Sequence, residues 1–389
     1  MRSIVKSESK DLPWRVIFII TGLNTGGAEM MLLKLCSQLD RRRFEPYVIS
    51  LSEKGVIGPR IEALGIPVNT LGMRLGRPSL TGLLRLRKLV STLCPNLIQG
   101  WMYHGNLAAT LAAGSAPVVW GIRQSFYGLD KERMLTRWVI WLSAVMSRYP
   151  RTIVYNSRTS AQQHEKFGFD TSRTCIIPNG FDTEVLNPDK YARISIREEL
   201  ELSQNIVIIG LIGRYHQMKD HRNFLNAAAL LVKEFSDVRF LLAGCGVDED
   251  NPALKSMVAE FGLDGLVLMI GERNDIPQLN AALDIASSSS AWGEGFANVI
   301  GEAMSSGVPC VVTDVGDSAW IVGNAGKVVP RSDPVALAAA WKSLIQLNQT
   351  DRQALGNLAR QRVIENFSLK SVVKQYEDLY ESCIAKEGI

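Results

Sequence analysis

The run Ser287-Ser-Ser-Ser-Ala-Trp-Gly-Glu294-Gly-Phe-Ala-Asn-Val-Ile-Gly-Glu302-Ala-Met-Ser-Ser-Gly307 decides how the rest of the chain is read. The four serines follow a short apolar strand expected over 283–286 and open a loop. Gly293 and Gly295 then permit a tight turn and close backbone approach to a ligand. Phe296, Val299, Ile300, Ala303 and Met304 recur at helical spacing, so a helix is expected over 296–305, stopped by Gly307 and Pro309. Glu294 then stands at the helix start and Glu302 two turns later. The amides from Gly295 through Phe296 and Ala297, with the helix dipole behind them, make a place for a phosphate. At 1.5 Å rise per residue the two carboxylates lie roughly 12 Å apart along the axis, too far to act on one atom as an acid–base pair. They suit the two ends of one elongated ligand with a diphosphate between them.

Two glutamates separated by seven residues, within Glu294-Gly-Phe-Ala-Asn-Val-Ile-Gly-Glu302-Ala-Met-Ser-Ser-Gly-Val-Pro-Cys-Val-Val-Thr-Asp314, resemble the signature of the retaining glycosyltransferases of family 4. The resemblance implies the GT-B fold, an α/β architecture of two Rossmann-like domains whose parallel sheets face a central cleft. It implies transfer of a hexose-type sugar from a nucleotide-diphosphate sugar to an acceptor. The setting it suggests is bacterial surface-polysaccharide assembly on a lipid carrier. By the same resemblance Glu294 holds donor-sugar hydroxyls and Glu302 the ribose hydroxyls.

Moving outward, residues 206–212 form a nearly continuous apolar run, as expected of a buried parallel strand. It ends in Gly213-Arg214-Tyr-His-Gln-Met218-Lys219-Asp220, and a helix is expected over 221–235. Arg214 and Lys219 therefore sit at a strand's carboxyl end beside a helix start. A forked guanidinium and a mobile ammonium there suit a diphosphate. The Arg-x4-Lys spacing is similar to the family's diphosphate clamp, although Met218 and Asp220 stand where the family often has Pro and Gly. Further strands are expected at 238–243, 267–270 and 308–313. The loop at 271–277 resembles the one that lies against the nucleotide base, which makes Arg273 a donor-binding candidate. Asp248-Glu-Asp250 reads as a solvated acidic turn, and neither a metal nor a cofactor is expected.

The first half opens with a strand over 15–20, the loop Thr21-Gly-Leu-Asn-Thr-Gly26-Gly27 and a helix over 28–39. Strand, glycine loop and helix form a phosphate-binding first βα unit. The dinucleotide fingerprint is absent, which disfavours a nicotinamide dehydrogenase. The resemblance places Gly26 and Gly27 beside the donor diphosphate. Strands are expected at 46–51, 67–69, 97–99, 118–121 and 152–155, with helices at 79–93, 106–113 and 131–146, so the sheet is parallel and covered on both faces. Ligands bind outside the carboxyl ends of such strands. That selects Trp101 and His104, Arg123 and Gln124, and Asn156 and Ser157. Position alone makes His104 a loop histidine; the resemblance makes it reach the donor sugar. The chain divides into a domain over 1–182, a connector over 183–203, a nucleotide-sugar domain over 204–367 and a terminal helix over 368–389 that returns to the first domain.

A length of 389 residues exceeds one ordinary core. The six scattered cysteines read as reduced thiols rather than a disulfide framework or a zinc site. The start, 1–11, is polar and the apolar run 16–20 is short, so no signal peptide is expected. The greasy stretch 138–146 falls well below the roughly 20 residues that cross a bilayer. Residues 1–190 carry 25 Lys and Arg against 14 Asp and Glu, the remainder 18 against 25. A basic half meets something negative. Two segments, 74–88 and 131–148, set basic residues beside apolar faces. Trp138 and Trp141 either pack in the core or mark an interfacial helix. The expected partners are a nucleotide-diphosphate sugar, a glycan or lipid-linked acceptor and an anionic membrane surface; no nucleic-acid-binding motif is present. The expected location is the cytoplasm, at the inner face of the membrane. Alternatives are a nucleotide-sugar epimerase of GT-B-like fold and a non-catalytic nucleotide-sugar-binding module.

Overall fold

The computed structural model describes residues 12–73, 79–126 and 134–385. The polar start at 1–11, and the 74–78 and 131–133 portions of the two basic segments, lie outside them.

The first domain runs β1 (Trp14–Ile20), α1 (Gly27–Gln38), β2 (Phe44–Ser50), α2 (Gly58–Glu62), β3 (Val68–Thr70), α3 (Leu80–Leu93), β4 (Leu97–Trp101), α4 (Met102–Ala112), β5 (Val118–Ile122), α5 (Met134–Met146), β6 (Thr152–Tyr155), α6 (Arg158–Phe167) and β7 (Thr174–Ile176). Helix α7 (Lys190–Glu199) leads into the second domain. There follow β8 (Val207–Ile212), α8 (His221–Leu231), β9 (Val238–Ala243), α9 (Pro252–Glu260), β10 (Val267–Met269), α10 (Ile276–Ala282) and β11 (Ile285–Ser288). The chain continues with α11 (Asn298–Ser305), β12 (Cys310–Thr313), α12 (Ser318–Val322), β13 (Gly326–Val329), α13 (Pro334–Ile345), α14 (Gln349–Phe367) and α15 (Leu369–Ala385).

The first sheet has the order β3-β2-β1-β4-β5-β6-β7 and the second β10-β9-β8-β11-β12-β13, parallel throughout. Both are Rossmann-like, and in both the order reverses beside the first strand. The crevices that take ligands therefore open beyond the carboxyl ends of β1 and β4, and of β8 and β11. Strands buried on both faces, such as Val-Arg-Phe-Leu-Leu-Ala in β9, explain the near-continuous apolar runs.

The terminal helix crosses back. Tyr376 and Tyr380 of α15 are fully buried among Phe18, Phe44 and Trp101 of the first domain, and the Tyr380 hydroxyl donates to Gln99 Oε1. Each buries a large ring with its hydroxyl paired, which fixes the helix there.

Several boundaries differ from those expected. The strand expected at 283–286 is shifted to 285–288 because Ser287 and Ser288 pair with Val311 and Val312, while Leu283 ends α10. These serines are buried, and Trp341 Nε1 donates to Ser287 Oγ at 3.2 Å. Short strands β7 and β13 carried too few apolar residues to be read from sequence. The terminal tyrosines sit where the amphipathic pattern put them. Trp138 and Trp141 do not pack in the core: they are 62% and 51% exposed on α5.

Candidate active site

The two crevices face one another across a cleft of about 580 Å³. From the first domain it is lined by the Gly27 loop and by Met102, Arg123, Gln124, Ser125, Asn156 and Asn179. From the second come Arg214, Met218, Gly293, Gly295, Phe296 and Asn298. The residues just past β5 and β6 are thus at the cleft, as the carboxyl-end rule predicts. A larger groove of about 760 Å³ opens at the opposite, amino ends of the second sheet's strands, beside Asp189 and Val207. Its Arg193 is tied to Asp284 at 2.8 Å, and the rule gives that end of a sheet no ligand.

The loop after β8 meets the loop after β11. Lys219 Nζ lies 2.5 Å from Glu294 Oε1, and Ser290 Oγ donates to the same oxygen at 2.7 Å. Gly293 has φ +88°, and a Cβ there would run into Met218 Sδ at 2.3 Å, so only glycine lets these two loops touch. Gly295 approaches the first domain, where Ser125 Oγ donates to the Glu294 carbonyl at 3.3 Å. Arg214 is exposed on the cleft wall.

Helix α11 begins at Asn298, two residues later than expected. Phe296 forms a bend and Ala297 stays extended, with the Phe296 ring packed against Phe181, Trp320 and Phe367. Glu294 is therefore in the glycine loop ahead of the helix, and helical rise does not measure its separation from Glu302. Ala297 caps the helix without a side-chain bond, which leaves first-turn amides facing the cleft. Glu302 lies farther along α11. Burial raises its carboxyl above the ordinary range, and Lys34 of α1 works against that shift.

The glycine loop of the first domain faces α11 directly: a Cβ on Gly27 would stand 3.8 Å from Asn298 Nδ2. Trp101, read as a candidate past its strand, is instead fully buried. Its Nε1 donates to the Ala28 carbonyl at 2.9 Å and so positions Gly26 and Gly27. His104 is not in a loop, because α4 starts at Met102 with φ +67° directly off β4. It stands in the first turn of α4 on the wall of a neighbouring apolar groove, where loss of hydration lowers its basicity. Arg273 is paired with Asp275 at 2.5 Å and Glu199 at 2.5 Å, which anchors the loop after β10 to α7.

Two residues that join the domains, Asn179 and Asp317, had little sequence signal. Arg123 Nη1 donates to Asn179 Oδ1 at 2.6 Å, and Asn179 Nδ2 donates to Asn298 Oδ1 at 2.8 Å, which joins the two domains. Asn179 showed only as part of a Pro-Asn-Gly turn. Asp317 had no signal at all. Its carboxylate accepts from Arg158 N at 2.6 Å, Thr159 N at 3.0 Å and Thr159 Oγ1 at 2.7 Å, so it caps α6 of the opposite domain. Arg158 lies over the Trp320 ring at 4.1 Å beside it.

The profile of Glycosyltransferase Family 4 matches residues 25–185, and that of Glycosyl transferases group 1 matches residues 206–347. The chain belongs to glycosyltransferase family 4. The transferase is 25% identical over 285 residues, 71% of each chain, to the UDP-Gal:alpha-D-GlcNAc-diphosphoundecaprenol alpha-1,3-galactosyltransferase of Escherichia coli. It is 27% identical over 252 residues, 62% of this chain and 68% of the other, to the lipopolysaccharide core biosynthesis mannosyltransferase LpsB of Rhizobium meliloti. Among solved structures, HepE of Anabaena in complex with UDP superposes with a TM-score of 0.81 at 23% identity, covering 95% of this chain and 100% of that one. HepE has also been solved with UDP-glucose. The transferase thus has the GT-B fold. Among the described residues no helix is long and apolar enough to cross a membrane.

Proposed function

We propose that the transferase moves a hexose-type sugar, with retention at the anomeric carbon, from a nucleotide-diphosphate sugar to a lipid-linked glycan in cell-surface polysaccharide assembly. The observation that carries this reading is the convergence of Arg214, the Gly27 loop and the first turn of α11 on one cleft, beside the Lys219–Glu294 pair. Breaking the anomeric C–O bond builds positive charge on the sugar and negative charge on the departing diphosphate. Fixed cations and amides at the leaving group stabilise that state most where water is excluded. Arg214, Lys219 and the amides at Gly26, Gly27 and Gly295 take this role, with Phe296 and Ala297 shaping the entry to α11. Glu294 holds donor-sugar hydroxyls, His104 approaches the sugar from the acceptor side, and Glu302 accepts from the ribose. Arg273, already paired, bears on the base through the loop it holds. With two cations on the leaving group the reaction needs no metal, so turnover persists in EDTA.

A same-face route, in which a leaving-group oxygen takes the acceptor proton, accounts for retention without a second carboxylate at the anomeric centre. Arg-rich α3 and the exposed tryptophans of α5 dock the first domain on the anionic inner face of the membrane. The acceptor class follows that of the E. coli relative, whose name specifies a diphosphoundecaprenol-linked sugar.

Thermal stabilisation by a panel of UDP-, GDP- and ADP-sugars identifies the donor, since a ligand that binds only the folded state raises its melting temperature. The anomeric configuration of the product, read by NMR coupling constants, tests retention. An isomerised donor formed without acceptor would point to an epimerase instead. Sedimentation with vesicles that ignores anionic lipid and salt would remove the membrane arm.

A further inference from the structure

A second concavity, of about 690 Å³, opens on the first domain between α3, α4 and α5. This is inside the roughly 300–1,000 Å³ of small-molecule sites. Its floor is one face of α4, where His104, Leu107, Ala108 and Leu111 recur at helical spacing and span roughly 10 Å of axis. Its walls are apolar: Leu80 and Leu83 of α3 on one side, and Leu135, Trp138, Trp141 and Leu142 of α5 on the other.

The inner end and the exposed rim of the groove differ. The inner end is His104 and Thr21, at the carboxyl edge of the sheet. His104 shares the first turn of α4 with Met102, which lines the reaction cleft. The exposed rim carries large apolar groups in water: Leu80 is 74% exposed, and Trp138 and Trp141 sit edge to face at 5.8 Å. Basic side chains stand beside that mouth. Arg87 is one and two turns along α3 from Leu83 and Leu80, and Arg137 is one turn before Trp141 on α5. An occupant must therefore be apolar along its length, have one end directed at the reaction centre, and tolerate or carry negative charge. A docked protein would need no end at His104, and a bilayer surface would not enter the groove.

We infer that this groove holds the apolar chain of a polyprenyl (di)phosphate-linked acceptor, with its sugar at His104 and the chain leaving along α4 between the leucines of α3 and the tryptophans of α5. The inference rests on the acceptor class proposed above and adds the site that grips it. The exposed rim of Leu80 and Trp138 opens the groove toward the membrane, where aromatic and basic groups are at home. Chain length then becomes a determinant of acceptor selection that is separate from recognition of the sugar.

The test titrates the full-length protein with farnesyl diphosphate, with saturating UDP present so that the diphosphate cannot occupy the donor clamp. Inorganic pyrophosphate is the charge-only control. Leu111→Glu and Leu142→Glu place a carboxylate in the groove at positions exposed enough to leave folding intact, which stabilisation by UDP verifies. The expected result is that farnesyl diphosphate binds at least roughly ten-fold more tightly than pyrophosphate and loses roughly ten-fold or more in both variants, because an apolar chain cannot hydrate the buried charge. Equal binding of the two diphosphates overturns the inference while UDP stabilisation leaves the donor reading standing. Loss of vesicle binding in the variants with farnesyl diphosphate binding unchanged makes the groove a membrane anchor and also overturns it. So does a concentration-dependent dimer that the variants abolish. Absence of any response to nucleotide diphosphates falls on the donor reading instead.

Discussion

Lys219 Nζ and Glu294 Oε1 stand 2.5 Å apart and join the loop that follows β8 to the loop that follows β11. Both side chains are largely withdrawn from water, at 13% and 8% exposure. The cation proposed for the leaving group is thus held by the carboxylate proposed for the sugar until a donor arrives. Ser290 fixes that carboxylate from behind.

The pair makes a prediction that separates stability from chemistry. Glu294→Ala leaves a largely buried ammonium without this partner and is expected to lower unfolding free energy by about 3 kcal/mol, the low side of buried-pair breakage. It is also expected to lower turnover by roughly a hundred-fold or more. The double variant Lys219→Met/Glu294→Leu recovers most of the melting temperature and none of the activity. Recovery of both would make the pair structural only.

Asp317 ties the second domain to the start of α6 in the first through three hydrogen bonds. A cap of this kind is worth about 1–2 kcal/mol. Because it spans the cleft, its loss acts on closure, and Asp317→Ala is expected to raise the donor KM by roughly 5–30-fold. Donor hydrolysis should rise relative to transfer, since an open cleft admits water. A lower melting temperature with unchanged KM and hydrolysis would show that the contact only braces the fold.

Much of this was legible in the sequence. The parallel sheets followed from buried apolar runs alternating with amphipathic helices, and Arg214, Gly27 and Asn156 followed from the carboxyl-end rule. Sequence reading failed where a long-range partner decides the local conformation. Phe296 fits a helical face by spacing but is drawn into a ring cluster with Phe181, Trp320 and Phe367, so α11 starts late. Ser287 and Ser288 look like loop residues until β12 pairs with them. Asp317 and Asn179 act across the domain interface, and no periodicity encodes a contact of that kind. His104 was expected in a loop past its strand, but α4 starts at Met102 and its packing turns His104 to the apolar groove.

Glu302 gives a pH dependence. Burial holds its carboxyl above the ordinary glutamate range, so part of the population is protonated at mildly acidic pH. A ribose hydroxyl is held best by the ionised form. UDP affinity should therefore rise with pH up to a midpoint above the usual carboxylate value and then level. Glu302→Gln should bind more weakly at high pH and lose the slope. The same slope in both proteins would assign the titration to another group.

His164 gives a second, in stability. It is fully buried, Nδ1–H donates to the Ser160 carbonyl at 2.7 Å, and Nε2 accepts from the Tyr103 hydroxyl at 2.6 Å. Burial depresses its pKa to about 4. The unfolded chain, with an ordinary histidine, binds the proton more readily. Stability is thus fully present above the unfolded value and is lost as pH falls from about 6.5 toward 4, by an upper limit of about 3 kcal/mol. His221, also near 4, adds a loss of the same sign. His164→Phe should flatten part of the slope of melting temperature against pH in that window. An unchanged slope would contradict the assignment.

The central claim, that a nucleotide diphosphate is gripped through its phosphates in the cleft, is tested most directly by calorimetric titration of UDP and of uridine into the native protein and the Arg214→Ala/Lys219→Ala variant. The account predicts that UDP binds the native protein and loses roughly a hundred-fold or more in the variant, at about 1.4 kcal/mol per ten-fold. Uridine, lacking phosphate, should bind weakly and equally to both. A UDP affinity that survives the double substitution, or a loss shared equally by uridine, would contradict it.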